Sequence, residues 1–339
     1  MPSRVVASMD AYQRRHRWLG FPVAVAYKFA DDQGPYLAAL ITYYGFLSLF
    51  PLLLLLVTIL GFVLQGDPDL QAELVDSALA QFPIIGTQLR ESVDSLSGSG
   101  LGLAVGIVGT VYGCLGVAGA AQNAFNRAWA VPRHQRPNPI TSRLRSLLLL
   151  GVLGAGVLIT TGLSGLTTGA GALGVNVGTG LRVGAVVLAT LANIGLFMFG
   201  LRVLTSREVP TRHLRIGAIV AGIGWQIVQL LGTYFVANTL RGANEAYGVF
   251  GLVLGLILWI YLLALVTVLA AEVNVVAQRR LWPRALLTPF TDEVRLTPGD
   301  KRAYTGYAES EQYKGFQVVD VGFEAPEEAG PEDPGESER

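Results

Sequence analysis

The stretch Val249–Val276, VFGLVLGLILWIYLLALVTVLAAEVNVV, decides the reading of the whole chain. It is apolar on every helical face and carries one charge, Glu272. A hydrocarbon core of about 30 Å takes about 20 apolar helical residues to cross. The run is continuous rather than alternating, so it reads as a helix and not as a barrel strand. The rest of the sequence agrees. Of 339 residues, 51% are hydrophobic and 15% charged, against about 25% charged in an average soluble domain. The 41 glycines follow no three-residue period, which excludes collagen. Cys114 is the only cysteine, which excludes a disulfide scaffold.

Five further stretches qualify as spans: 37–64, 101–125, 147–165, 183–201 and 216–236. The expected fold is therefore all-α, a bundle of six transmembrane helices over residues 37–276 with amphipathic interfacial helices. A cytoplasmic N-terminal segment, 1–36, precedes it. A cytoplasmic C-terminal segment, 277–323, follows, and an acidic tail, 324–339, is expected to be disordered. No compact apolar core with a small-residue cleavage site stands at the N-terminus, so the first span is expected to remain in the mature protein.

Arginine and lysine set the orientation. Arg4, Arg14, Arg15, Arg17 and Lys28 precede the first span. Arg127, Arg133, Arg136, Arg143 and Arg145 lie between the second and third, and Arg202, Arg207, Arg212 and Arg215 between the fourth and fifth. Arg279, Arg280 and Arg284 follow the sixth, whereas the alternate loops carry little beyond Arg90, Arg182 and Arg241. The positive-inside rule then places both termini in the cytoplasm. The formal net charge of zero is a cancellation between compartments, since acids dominate residues 66–100 and the tail.

The connecting segments carry further expectations. Residues 66–100 form either two external amphipathic helices or a hairpin packed on the spans. The uncharged loop 165–180 is a turn or a re-entrant piece. Residues 18–36, interrupted by Lys28, Asp31 and Asp32 and bracketed by Pro22 and Pro35, read as a cytoplasmic interfacial helix. Thr297 caps a helix with Pro298 at its first position and Asp300 in its first turn, reaching Tyr313. A short strand is expected over Phe316–Phe323.

No constellation for catalysis stands out. His16, His134 and His213 are scattered over predicted loops, and no Cys/His spacing suits a metal. There is no Walker A sequence and no Gly-x-Ser-x-Gly elbow. The chain is read as a non-enzyme with no cofactor, no metal and no nucleic-acid partner. Its partners are the bilayer, a lipid or small-molecule substrate, or envelope proteins.

Polar residues inside spans are the candidates for function. Glu272 lies about two turns inside the cytoplasmic end of the last span. An acid at that depth faces protein or water. One reading pairs it with a basic residue at a helix end, for which Arg127 and Arg202 are the candidates; the other gives it a substrate or proton role. Asn274, two positions on, points elsewhere. Tyr43, Tyr44, Gln122, Asn123, Asn126, Gln226 and Gln229 complete a candidate intramembrane polar site, either bonding neighbouring helices or lining one crevice. Pro51 removes a backbone hydrogen bond inside the first span, as a packing kink or a hinge. Gly102/Gly106, Gly109/Gly113 and Gly251/Gly255 are small-xxx-small pairs that let backbones approach, within one bundle or across a dimer seam. Cys114, in the same glycine-rich span, is expected to be a buried inert thiol.

Three motifs carry a resemblance. Thr42-Tyr43-Tyr44-Gly45-Phe46-Leu47-Ser48-Leu49-Phe50-Pro51-Leu52-Leu53, then Gly116-Val117-Ala118-Gly119-Ala120-Ala121-Gln122-Asn123-Ala124-Phe125-Asn126-Arg127-Ala128-Trp129, then Trp259-Ile260-Tyr261 with Ala270-Ala271-Glu272-Val273-Asn274 resemble the YihY/BrkB family in order and position. The likeness covers roughly residues 15–285. It implies a six-span bacterial inner-membrane protein with cytoplasmic termini, associated with envelope integrity and resistance to host killing, with lipid or small-molecule movement suspected. The family once carried the label ribonuclease BN. These residues give that label no support, because a metal nuclease needs clustered His and Asp ligands.

Overall fold

The structure is a computed structural model that describes residues 4–63, 100–148, 151–152, 179–205, 209–235, 248–292 and 294–324. Among these the regular structure is helical, with no strand. The helices are α1 (Arg4–Arg15), α2 (Arg17–Asp31), α3 (Gly34–Val63), α4 (Gly100–Ala128), α5 (Thr179–Leu204), α6 (Arg215–Phe235), α7 (Gly248–Arg279) and α8 (Pro298–Ser310). A further helical run covers residues 139–148. Helices thus lie over five of the stretches read as spans. Most of 147–165, the segment 66–99, the loop 165–178 and the tail from 325 lie outside the described residues.

Among the described residues, two helices, over Arg215–Gly232 and Val253–Arg279, are long and apolar enough to cross a membrane. The surface of α6 shows the solvent such a helix expects. Ile216, Ile219, Ile223, Ile227 and Leu230 recur every three or four residues and are exposed, while Ala218, Ala221 and Val228 are buried. This amphipathic helix turns its large apolar side chains outward, the reverse of a helix on a water-soluble core.

Packing is built on small residues. α3 lies along α4, α7 packs on α6, α3 and α2, α5 packs on α6, and α1 packs on α2. A Cβ added at Gly109 would sit 2.7 Å from the Pro51 ring. One at Gly113 would sit 2.6 Å from the Cα of Ser48, and one at Gly116 would enter the ring of Tyr44. The Gly109/Gly113 pair is therefore a seam inside the bundle. It extends to Gly116 and receives Pro51, around which α3 continues as a helix. Ala24, Ala38, Ala118, Ala121, Ala124, Ala128, Ala218, Ala264 and Ala271 fill the core with Phe125 and Trp129.

The helix ends explain the corners. α4 and α7 close with left-handed residues, Ala130 (φ 45°) and Arg280 (φ 53°). The amides of Val131 and Leu281 reach back to the carbonyls of Asn126 and Val276, at 2.8 and 3.2 Å. That is the bond of a Schellman ending, made with non-glycine residues. At α8, Thr297 accepts from the Asp300 amide and Asp300 accepts from the Thr297 amide, a complete capping box with Pro298 at the first position.

Several expectations need correction. Pro22 lies inside α2 rather than before it, and Pro35 belongs to the first turn of α3, where a missing N–H costs nothing. α8 ends at Ser310, short of Tyr313. Phe316–Phe323 forms no strand: it finds no ladder partner among the described residues, and Phe316 and Val318 are exposed. Cys114 is half-buried.

Candidate functional site

The polar centre of the molecule lies where α2, the C-terminal end of α4, the C-terminal third of α7 and α8 meet. Lys28 sits on the α2 face that also buries Gly20, Ala24 and Val25. A lysine there is buried because small neighbours let α2 approach α7 closely. Its ammonium pairs with Asp32 one turn on, donates to the Ala128 carbonyl at 3.0 Å, and stands 3.5 Å from an oxygen of Glu272. The ring of Tyr307 on α8 covers it, 5.1 Å from nitrogen to centroid.

Glu272 is fully buried, and neither of its oxygens completes a hydrogen bond among the described residues. Asp32 faces the same carboxylate. Two carboxylates thus share one ammonium, whose other neighbours are the Ala128 carbonyl and the Tyr307 ring. Buried charges normally gain several hydrogen bonds each to offset lost hydration. Glu272 has only the Lys28 ammonium at 3.5 Å and the facing Asp32 among the described residues, which makes it the least satisfied charge of the cluster.

A second cluster abuts the first. The Arg284 guanidinium, 1% exposed, pairs with Asp300 and, at 3.1 Å, with Asp31. Asp300 also accepts from the amide of Ala285 at 3.1 Å and from the hydroxyl of Thr297 at 2.8 Å. Tyr307 donates to Asp31 at 3.1 Å, so one side chain touches both clusters. Burial pushes the Tyr307 phenol well above its usual range, and the charges of Asp32 and Asp31 add to the shift. It is held as a donor. Burial works against the Arg284 charge, yet the carboxylates of Asp31 and Asp300 outweigh it and raise its pKa above the ordinary arginine value. The segment 283–286 is tied to the N-terminus as well: Leu286 N–H donates to Asp10 at 3.0 Å, and Tyr27 donates to the Leu286 carbonyl at 2.7 Å.

The sequence candidates separate. The cation beside Glu272 is Lys28, not Arg127, which is exposed, nor Arg202, which is exposed and donates to Thr211. Both arginines sit at helix ends whose side chains reach the surface. Asn274 is fully buried and accepts from the Gly217 amide of α6 at 2.7 Å, so it faces away from Glu272. Gln122 joins α4 to the helical run 139–148, donating to the Ser142 carbonyl and the Ser146 hydroxyl, each at 3.1 Å. Asn126 is buried on α4, its carbonyl oxygen meeting no donor among the described residues, while Asn123 is exposed. Tyr43 is exposed, Tyr44 packs on Gly116, and Gln226 and Gln229 are half-buried on α6. These polar residues do not gather around Glu272 as one site.

Lys28, Asp32, Arg284, Asp300 and Tyr307 were missed as site residues. A signal existed: lysine occurs at only three positions, and Lys28 and Asp32 stand four apart on one helix face. Among the described residues no three His, Cys, Asp or Glu side chains gather in an arrangement fit for a metal ion.

Comparison with known proteins places this geometry in context. The family model described as Virulence factor BrkB matches residues 25–290. A UPF0761 membrane protein of Psychrobacter sp. is 24% identical over 295 residues, 83% of this chain and 53% of the relative, so the chain spans about half that relative's length. The inner membrane protein YhjD of Escherichia coli is 25% identical over 76% of this chain and 80% of its own. The putative ribonuclease-like protein YfkH of Bacillus subtilis is 25% identical over 75% of this chain and 93% of its own. No solved structure matches the chain.

Proposed function

This chain belongs to the BrkB family, and from that premise we propose that it is a six-span bacterial inner-membrane protein that moves a lipid or a small solute. In this reading both termini are cytoplasmic, and the Lys28–Asp32–Glu272 cluster lies at the cytoplasmic end of the bundle. Support for the location comes from relatives named membrane protein and inner membrane protein and from the arginine-rich alternate loops.

The observation that carries the transport reading is the fully buried Glu272 carboxylate, which stands 3.5 Å from an ammonium it shares with Asp32 and meets no closer donor among the described residues. A purely structural cluster gains nothing from such a group, since well-packed apolar residues of the same volume are commonly as stable or more so. An intramembrane acid held against a shared lysine is instead suited to a site whose partners change during a cycle. Purified protein reconstituted in liposomes should accelerate movement of a lipid or solute above empty vesicles. Glu272→Gln should slow it roughly tenfold, equivalent to about 1.4 kcal/mol on the barrier. Movement indistinguishable from empty liposomes across a broad lipid and solute panel rejects the reading.

A non-transporting envelope scaffold is the second reading. The exposed Tyr313, Phe316 and Val318 on the C-terminal segment favour it, because exposed aromatic and apolar side chains off the bundle suit a protein partner. Crosslinking in native membranes that traps a partner lost on deleting residues 311–339, with no transport by the intact chain, would favour this reading over the first.

A further inference from the structure

The end of α7 and the exposed side of α8 enclose a groove outside the cluster just described. Its cavity of about 380 Å³ is lined by Arg279, Leu281, Lys301, Arg302, Thr305, Gly306 and Glu309. Three cations and one carboxylate leave the lining with a net positive charge. The cations are positioned by their surroundings: Arg279 donates to the Trp129 carbonyl, Arg302 donates to the Arg280 carbonyl, and Lys301 stands 5.7 Å from the Phe323 ring centroid. Gly306 is part of the construction, because a Cβ there would come within 3.2 Å of the Arg279 guanidinium. The absent side chain lets that group approach α8 closely.

We propose that this groove binds the phosphodiester headgroup of an anionic phospholipid. Two arginines and a lysine among the lining residues supply the charge, and their apolar stems the flanking surface, that a phosphate ester on a lipid backbone needs. The lipid is the source because Arg279 is the last residue of the long apolar helix α7. The groove therefore opens at the bilayer boundary, on the side that the arginine distribution assigns to the cytoplasm, where anionic headgroups attract basic clusters. The proposal rests on that membrane placement and not on transport, so a negative flux assay leaves it standing, and its own failure leaves the flux assay standing.

The test titrates the purified full chain, in nonionic detergent, with dioleoyl-phosphatidylglycerol, dioleoyl-phosphatidylcholine or glycerol 3-phosphate, and counts bound molecules by native mass spectrometry. Phosphatidylglycerol is expected to bind in preference to phosphatidylcholine. Lys301→Ala and Arg302→Ala should each weaken it about fivefold, with unchanged circular dichroism. Lys301 is exposed, so Lys301→Ala decides the matter even if Arg302→Ala disturbs the turn at Arg280. Equal binding of phosphatidylcholine overturns the proposal, as does unchanged phosphatidylglycerol affinity in a folded Lys301→Ala protein. Glycerol 3-phosphate competing at the same concentration as the lipid also overturns it, in favour of a soluble phosphate ester.

Discussion

Lys28 is the residue on which the buried charges depend. Removing it leaves Glu272 and Asp32 facing each other in a buried pocket without their shared cation. Lys28→Met should destabilise the protein by about 3–5 kcal/mol, the range for breaking a buried ion pair from one side. Glu272→Gln should cost far less, because Lys28 keeps Asp32 and the Ala128 carbonyl. Thermal unfolding of both variants in one detergent checks the order; equal losses would show that the lysine does not hold the two acids. Glu272 itself was legible in the sequence as an acid inside a span. Its partner was not, because Lys28 is distant in sequence and sits in a helix that reads as an interfacial surface piece. The helix-end arginines looked closer, but their long side chains reach the surface instead.

Among the elements, the α3–α4 seam and the α6–α7 contact make sharp demands on glycine. A Cβ at Gly217 would lie 2.1 Å from the Ala270 carbonyl oxygen, and one at Gly113 would meet the Ser48 backbone. Gly119 has open space. Gly113→Ala and Gly217→Ala should each cost about 1–3 kcal/mol by overpacking, and Gly119→Ala should be neutral on that count. Unfolding midpoints test the contrast. The pair Gly109/Gly113 was readable as a close-contact motif. That its opposing surface is Pro51 and Ser48 of α3, rather than another copy of the chain, follows only from the packing. The α8 cap was readable too, since Thr297, Pro298 and Asp300 act locally. Asp300 does more than cap, because it also holds the buried Arg284. Asp300→Ala should therefore cost about 3–5 kcal/mol, well above the ~1 kcal/mol of an ordinary cap, again by thermal unfolding.

For the whole molecule, the six-span reading predicts a labelling pattern. In a Cys114→Ser background, single cysteines at Thr211 and Gly322 should resist a membrane-impermeant maleimide in intact cells. Cysteines at Ser97 and Asn176 should react. Labelling of Thr211 from outside would invert or break the topology. The outward apolar stripe of α6 is the structural counterpart of this expectation, since those side chains are exposed.

The all-helical class and the placement of helices over five of the long apolar stretches were determined by the sequence alone. Each depends on the local density of apolar side chains, and neither requires knowing which residues meet. The tertiary structure decided which groups share the interior. It brought Lys28 and Asp32 to Glu272, tied Asp31 to Arg284 and Asp300 through α8, and sent Asn274 to α6 instead. Those choices depend on the close approach of helices across small residues. A buried charge takes the partner that packing places within reach, and sequence distance does not enter that competition.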